Sequence, residues 1–359
     1  MSIHFHPLTI KEIKKETADC ISVEFEIPET LKESFQYKQG QSLTMRTLIN
    51  GDEVRRTYSL CSSPLDKEWK VAIKKTEGGL FSSFANEKLQ KGTVLEVMEP
   101  VGKFNTPLDP ANKKNYLAFA AGSGITPVLS IIKTTLRTEP QSNFTLVYGN
   151  KSRASIIFFE ELEGLKNKFI SRFNFINILS RERTEAAINT GRINTEKLTE
   201  LHKLIDYRKI DETFICGPEE MIFCVKDFLE TNGVDKKKIH FELFASKGQK
   251  KADIRNEKKE EHSLTNSLIT IKMDGRSIEF PLSLNSDISI LDAALKQGAD
   301  LPFACKGGMC CTCKAKLTEG EVDMDVHWGL EHEEVEQGYI LTCQSHPKTE
   351  KVVIDFDVK

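Results

Sequence analysis

The sequence predicts a multidomain chain: an antiparallel β-barrel, then an α/β domain on a parallel sheet, then a small α+β domain. Three observations carry that prediction. At 359 residues the chain exceeds what one ordinary core holds. Its hydrophobic rhythm changes near residue 115, from short alternating segments to continuous apolar runs separated by helical spacing. A highly charged stretch around residue 250 then sets apart a final segment with strand, helix and strand signals of its own. The boundaries implied are 1–109, 110–245 and 267–359, with 246–266 as a flexible linker.

In the first part, "CISVEFEI", "QSLTMRTLI", "RTYSLCSSP", "WKVAIKKT" and "TVLEVMEPVGKF" read as strands with turn signals between them. Many short strands so punctuated predict a small barrel, and "LFSSFANEKLQ" is a short helix after Gly78 and Gly79. In the second part "NYLAFAA", "FTLVYGN", "FNFINILS", "ETFICG" and "FELF" are buried strands. Helical segments such as "VLSIIKTTLR" and "PEEMIFCVKDFLETNG" alternate with them, as a parallel sheet requires. In the third part "LITIKMDGRSIEF" is a hairpin around Asp274 and Gly275, "ISILDAALKQG" a helix ended by Gly298, and "KVVIDFDV" a last strand.

Composition narrows the function classes. No apolar run approaches the roughly 18 residues of a membrane helix, and the start lacks the apolar core of a secretory signal. The expectation is a cytoplasmic protein without membrane insertion, in a reducing compartment where clustered thiols bind metal or react. Net charge is −3, but residues 267–359 carry 9 Lys/Arg against 16 Asp/Glu, a net −7 that leaves +4 for the rest. Such asymmetry suits steering of a charged partner as well as a plain solvated surface, and no basic stripe for nucleic acid is present.

"CKGGMCCTC", residues 305–313, holds four of the nine cysteines. Cys305, Cys310 and Cys313 have the spacing C-x4-C-x2-C, and Cys343 follows after 29 intervening residues. Four thiolates so spaced form the plant-type 2Fe–2S ligand pattern. Gly307 and Gly308 are expected to let the loop curl so that amide N–H groups point at sulfur. A structural zinc site is the competing reading, although zinc frameworks favour two tight pairs. Cys311 is expected to point away from the ligands, and Cys20, Cys61 and Cys224 to lie among core residues. From its hairpin, helix, cysteine loop and late fourth cysteine, the segment 267–359 resembles the β-grasp ferredoxins.

"RRTYSL" places Arg56 and Tyr58 on one strand face and Ser59 on the other, suited to a pyrophosphate, a flavin ring and a ring nitrogen. "GGLFSS" offers helix N-terminal amides and Ser82 or Ser83 to phosphate. Together they resemble the flavin domain of the ferredoxin–NADP⁺ reductase superfamily. That resemblance implies FAD, with Arg56 on the pyrophosphate, Tyr58, Ser59 and Leu60 near the ring and ribityl chain, Ile73 and Lys74 beside it, and Gly79, Phe81, Ser82 and Ser83 at the phosphates.

"AAGSGITP" follows a buried strand and opens a helix, so Gly122 and Gly124 permit a tight turn facing a phosphate. Pro127 stands where a dinucleotide fingerprint has its third glycine. The same superfamily uses G-x-G-x-T-P followed by C-G-P, here Cys216, Gly217 and Pro218. By that resemblance Thr126 and Cys216 border the nicotinamide, Tyr148, Gly149, Asn150 and Met221 line the pocket, Ser123 is among the cofactor-binding residues, and Glu242 in "FELF" returns to the flavin face. Ser180, Arg181 and Arg192 match a 2′-phosphate site, which favours NADPH over NADH, since a guanidinium pairs well with phosphate.

The order of flavin, nucleotide and ferredoxin domains resembles the oxygenase reductases, and "YGNKSRASIIFFEEL", "LSRE" and "GYILTCQS" resemble those of the phenylacetyl-CoA epoxidase type. The implied activity is an oxidoreductase carrying electrons from NAD(P)H through FAD and a 2Fe–2S cluster to a terminal oxygenase. Ser59, Thr126, Cys216 and Glu242 are its expected catalytic residues and Cys305, Cys310, Cys313 and Cys343 its cluster ligands. Another acceptor (a desaturase, a cytochrome or a hybrid-cluster protein) and a redox-sensing role are the alternatives.

Overall fold

The computed structural model describes residues 4–244 and 266–358; of the linker expected at 246–266, only Asn266 falls within them, and it opens a strand. Residues 5–244 form one compact unit and the C-terminal segment a second.

The first unit begins with strands β1 (Phe5–Thr17), β2 (Cys20–Glu26), β3 (Ser42–Ile49), β4 (Asp52–Ser59) and β5 (Trp69–Lys74), helix α1 (Leu80–Lys88) and strand β6 (Val94–Met98). They make one antiparallel sheet in the order β4-β3-β6-β1-β2-β5, and a bridge between Leu60 and Val71 joins its two ends into a barrel. Inward positions alternate as a strand dictates: Leu8, Ile10, Val23, Phe25, Leu43, Met45, Val71 and Ile73 fill the interior. Strand β1 is absent from the sequence reading. Its lysines and glutamates lie on the solvent side and few of its side chains are buried, yet it pairs with both β2 and β6. Backbone pairing, not propensity, makes it a strand.

The chain continues through β7 (Asn115–Ala121), α2 (Ile125–Thr138), β8 (Asn143–Asn150), α3 (Phe159–Lys168), β9 (Phe173–Leu179), α4 (Thr195–Leu201), β10 (Glu212–Gly217), α5 (Glu219–Thr231) and β11 (Ile239–Leu243). All five strands are parallel, in the order β11-β10-β7-β8-β9. Strand order therefore reverses at β7, and the loops leaving β7 and β10 diverge at its carboxyl edge, where open α/β sheets bind ligands. Barrel and sheet are joined by buried polar bonds: Ser130 Oγ donates to the Ser62 carbonyl at 2.6 Å and Ser63 Oγ meets Thr134 Oγ1 at 2.9 Å. Asp66 pairs with Lys133 at 2.8 Å and with Arg137, and Phe104 packs edge-on against Phe214.

The second unit contains β12 (Asn266–Met273), β13 (Arg276–Ser283), α6 (Ile290–Lys296), β14 (Lys314–Glu319), β15 (Val322–Met324), α7 (His332–Glu336), β16 (Tyr339–Leu341), β17 (Ser345–Pro347) and β18 (Lys351–Asp355). Its main sheet runs β13-β12-β18-β14-β16, with β12 and β18 parallel and the other pairs antiparallel. The β12–β13 turn has φ of 50° at Asp274 and 71° at Gly275, the left-handed pair that suits a tight hairpin. The Asp357 carboxylate accepts both turn amides, at 2.8 and 3.2 Å. Helix α6 starts at Ser289, whose hydroxyl accepts the Asp292 amide, and buries Ile290, Leu291 and Ala294 against the sheet.

Because Ser130 is fully buried and its hydroxyl bonds α2 to the barrel, Ser130→Ala is expected to cost about 1–3 kcal/mol. Calorimetry on the holoprotein should read a thermal midpoint lower by a few degrees, with the visible spectrum unchanged.

Candidate functional site

In the first unit, the ends of four strands meet. Strand β4 delivers Arg56, Tyr58 and Ser59 in register with Met45, Leu43 and Ser42 of β3. Tyr58 packs its ring on Phe81 of α1, 5.7 Å between centroids, and burial pushes its hydroxyl well above the usual range. Arg56 is exposed on the same face, without an ion pair among the described residues, so its charge is open to an anion. Leu60 and Ile73 are fully buried and belong to the barrel core, while Lys74 reaches toward Asp19 at 3.7 Å.

The loop before α1 is tightly closed. Gly79 caps the helix, and a Cβ there would fall 2.4 Å from Ser82 Oγ. Ser82 accepts the Thr76 amide at 3.1 Å and donates to the Gly79 carbonyl at 3.2 Å, so its hydroxyl holds the loop itself. Ser83 is half-buried and, of the two serines, has the less committed hydroxyl.

The turn Gly122–Gly124 lies against the end of β10. A Cβ on Gly124 would sit 2.1 Å from the Cys216 carbonyl oxygen, so only glycine permits the approach. Thr126 is buried and donates to the Ser123 carbonyl at 3.0 Å, closing the turn, and Pro127 occupies the first turn of α2, where no amide is needed. Tyr148 OH donates to the Gly122 carbonyl at 2.8 Å from β8, a support the sequence pattern left unseen. Gly149 and Asn150 end that strand beside Ile193, Pro218 caps α5, and the Met221 side chain packs close to Gly217.

Cys216 is paired in register with Glu242 of β11. Glu242 Oε2 accepts the Ser59 hydroxyl at 3.0 Å, so one hydrogen bond spans barrel and parallel sheet. Packing around Glu242 pushes its carboxyl up to about 7, with the Ser59 bond pulling in the opposite direction. Burial, with Glu242 nearby, raises the Cys216 thiol well above its usual range, so it is neutral at pH 7. Ser59, Cys216 and Glu242 are thus brought together, and Thr126 closes the neighbouring turn.

At the far end of β9, Ser180 and Arg181 donate backbone amides to Asn150 and Lys151. A parallel bridge of Leu179 with Thr190 sets Arg192 alongside them, and Arg181 and Arg192 are exposed without ion pairs among the described residues.

In the second unit the cysteine loop has φ of 51° at Lys306, 76° at Gly308 and 55° at Cys311. Gly307, expected to supply the curl with Gly308, is not left-handed; Lys306 takes that conformation, and the Gly307 amide donates to Cys305 Sγ at 3.3 Å. The thiols fall into two interacting pairs, Cys305 with Cys310 and Cys313 with Cys343. In each pair the partner's hydrogen bond draws one thiol, Cys305 or Cys343, below the usual range and leaves the other raised. Among the described residues no three His, Cys, Asp or Glu converge as ligands of a single ion. Two pairs with amides aimed at sulfur suit two irons with two thiolates each, not one tetrahedral zinc. Cys311 turns away, its thiol donating to the Gly329 carbonyl at 2.7 Å.

Family models match in chain order: an oxidoreductase FAD-binding domain over residues 7–106, an oxidoreductase NAD-binding domain over 119–227, and a 2Fe–2S iron–sulfur cluster binding domain over 271–348. The chain is 44% identical to a component of the 1,2-phenylacetyl-CoA epoxidase of Escherichia coli (strain K12), across 99% of this chain and 98% of that one. It is 35% identical to the ferredoxin reductase component of a 3-ketosteroid-9-alpha-monooxygenase from Rhodococcus rhodochrous, across 97% and 96%. Among solved structures, phthalate dioxygenase reductase, described as modular for electron transfer from pyridine nucleotides to a 2Fe–2S centre, superposes with a TM-score of 0.59 at 26% identity, covering 98% of each chain. No helix among the described residues is long and apolar enough to cross a membrane.

The raised carboxyl fixes a pH effect with a definite sign. A Glu242 that titrates at about 7 when folded and near 4.5 when unfolded contributes stability below about pH 4.5 that is lost as pH rises through about 7. Glu242→Gln should remove a loss on the order of 3 kcal/mol between about pH 5 and about pH 8, read from urea midpoints; a pH profile identical to the parent's refutes it.

Proposed function

The chain belongs to the family of FAD- and 2Fe–2S-containing reductase components of multicomponent oxygenases, and from that premise we propose which residues carry its redox work and which acceptor it serves. It is an oxidoreductase using FAD, a pyridine nucleotide and a 2Fe–2S cluster. The acceptor proposed is the terminal oxygenase of a phenylacetyl-CoA epoxidase-type system, on the strength of the 44% identity along the whole chain. Nine cysteines with no disulfide among the described residues fit a cytoplasmic setting.

The observation that carries the mechanistic reading is the Ser59–Glu242 hydrogen bond beside buried Cys216. When bound, the flavin would supply the exchange between two-electron and one-electron chemistry that lets a hydride donor feed a one-electron acceptor. Around that chemistry, Arg56 would neutralise the pyrophosphate, Tyr58 and Phe81 would pack beside the flavin, and the amides of Leu80 to Ser82 in the first turn of α1 would face phosphate, those of Gly79 and Ser83 being donated to the Thr76 and Gly79 carbonyls. Gly124 and Cys216, held in backbone contact, border the nicotinamide and exclude water from it. Ser59, its hydroxyl hydrogen donated to Glu242 Oε2, would keep its oxygen lone pairs for the flavin ring, with Glu242 holding or releasing a proton at its carboxyl. Cys305, Cys310, Cys313 and Cys343 ligate the cluster.

Stopped-flow mixing with NADPH should show flavin reduction slowed at least about tenfold in Ser59→Ala, a loss of about 1.4 kcal/mol of barrier lowering, with the cluster spectrum intact. An unchanged rate rejects the role of Ser59. The same NADPH, added to a lysate pull-down, should recover oxygenase subunits that turn over only with this reductase; capture of a cytochrome or desaturase instead rejects the proposed acceptor.

Arg181 and Arg192 set nucleotide choice through the 2′-phosphate. Arg181→Ala should raise KM for NADPH about tenfold and leave NADH nearly unaffected, measured as kcat/KM for each nucleotide; a higher parent kcat/KM for NADH counts against it.

A further inference from the structure

Gln344 follows the fourth cysteine, is 6% exposed, and has no role legible in the sequence. Its side-chain nitrogen Nε2 lies 2.9 Å from the Lys306 carbonyl, 3.0 Å from the Cys343 carbonyl and 3.6 Å from Cys343 Sγ. An amide nitrogen has two hydrogens, so these three acceptors share them. We infer that Gln344 is a positioning residue for the cluster, its amide raising the cluster's electron affinity through Cys343 sulfur while it ties that cysteine to the loop carrying the other three.

The tie is direct. Lys306 stands next to Cys305, in the left-handed region, and its carbonyl is held by a residue adjoining Cys343. The Gln344 stem is packed in turn: a Cβ on Gly308 would lie 3.3 Å from Gln344 Cγ, so the side chain lies against the cysteine loop at that glycine. The Gln344 backbone adds two bonds, donating to the Leu341 carbonyl and accepting the Asp325 amide, each at 2.9 Å. A donor so confined is oriented before any electron arrives.

The electrostatic consequence follows from charge. Reduction adds one electron, and one negative charge, spread over the cluster and its sulfur ligands. An N–H aimed at a ligand sulfur stabilises the reduced form more than the oxidised form, and at a buried site that difference is large. Removing the donor therefore lowers the potential. Purely mechanical support would leave the potential of a fully loaded cluster where it was.

This inference rests on Cys343 being a ligand, which Cys343→Ser tests separately: native iron content and unchanged g-values in that variant would refute the ligand assignment, and with it the route through that sulfur. For Gln344, the experiment is an EPR-monitored potentiometric titration of the holoprotein. Gln344→Leu should bind one electron about tenfold less tightly, a fall of about 59 mV, with parent flavin and iron content. An unchanged potential at full iron content overturns the inference. Should the leucine variant fail to hold iron, Gln344→Met keeps the length without the N–H donor, and its potential should fall by a similar amount; a potential equal to the parent's at full iron content overturns the inference. In the unmutated holoprotein, ¹⁵N in the glutamine side chains should give a hyperfine coupling to the reduced cluster in pulsed EPR, and its absence also overturns it.

Discussion

The hydrogen bond from Ser59 to Glu242 spans a seam on which the first unit depends. Ser59 is held at the end of a barrel strand and Glu242 on the edge strand of a parallel sheet, 183 positions apart in sequence. For 3.0 Å between them to persist, barrel and sheet must be fixed against each other. The Ser130–Ser62 and Ser63–Thr134 bonds, the Asp66 ion pairs and the Phe104–Phe214 contact supply that fixity. Each is modest in isolation, about 1 kcal/mol for a neutral hydrogen bond. Together they fix barrel and sheet against each other at the junction that the Ser59–Glu242 bond crosses.

The same seam explains the chemistry of its residues. Cys216 and Glu242 sit opposite each other on neighbouring strands, so burial that raises the carboxyl also keeps the thiol protonated. At pH 7 the thiol is neutral, and the Glu242 carboxyl, near its midpoint, is the group of this pair that takes up or releases a proton. Gly124 is what permits this crowding, since any side chain there would meet the Cys216 carbonyl.

The second unit solves a different problem, gathering four sulfurs from distant positions without a core built for the purpose. Three consecutive devices do it: left-handed residues that fold the loop inward, Gly329 and Val326 clamping it from outside, and Gln344 bridging loop and fourth cysteine. Cys311 acts in the clamp, its thiol bonded to the Gly329 carbonyl and a Gly329 Cβ position only 2.7 Å from its sulfur. The odd cysteine of the run thus has a packing role.

By itself the sequence determined whatever depends on local pattern. Buried parallel strands announce themselves as apolar runs, the Asp274–Gly275 turn by its left-handed residue types, and the cluster by cysteine spacing, because each is dictated by neighbours a few positions away. Tertiary structure decided the rest. Strand β1 is invisible in composition because its pairing partners, not its own residues, make it a strand. Ser82 looked like a phosphate ligand until the fold committed its hydroxyl to the Thr76–Gly79 loop. Lys306 took the left-handed place expected of Gly307, and Gln344 gained its role only when β16 and the cysteine loop were brought together. Such assignments turn on distances of an ångström between residues far apart in the chain, and no local pattern encodes them.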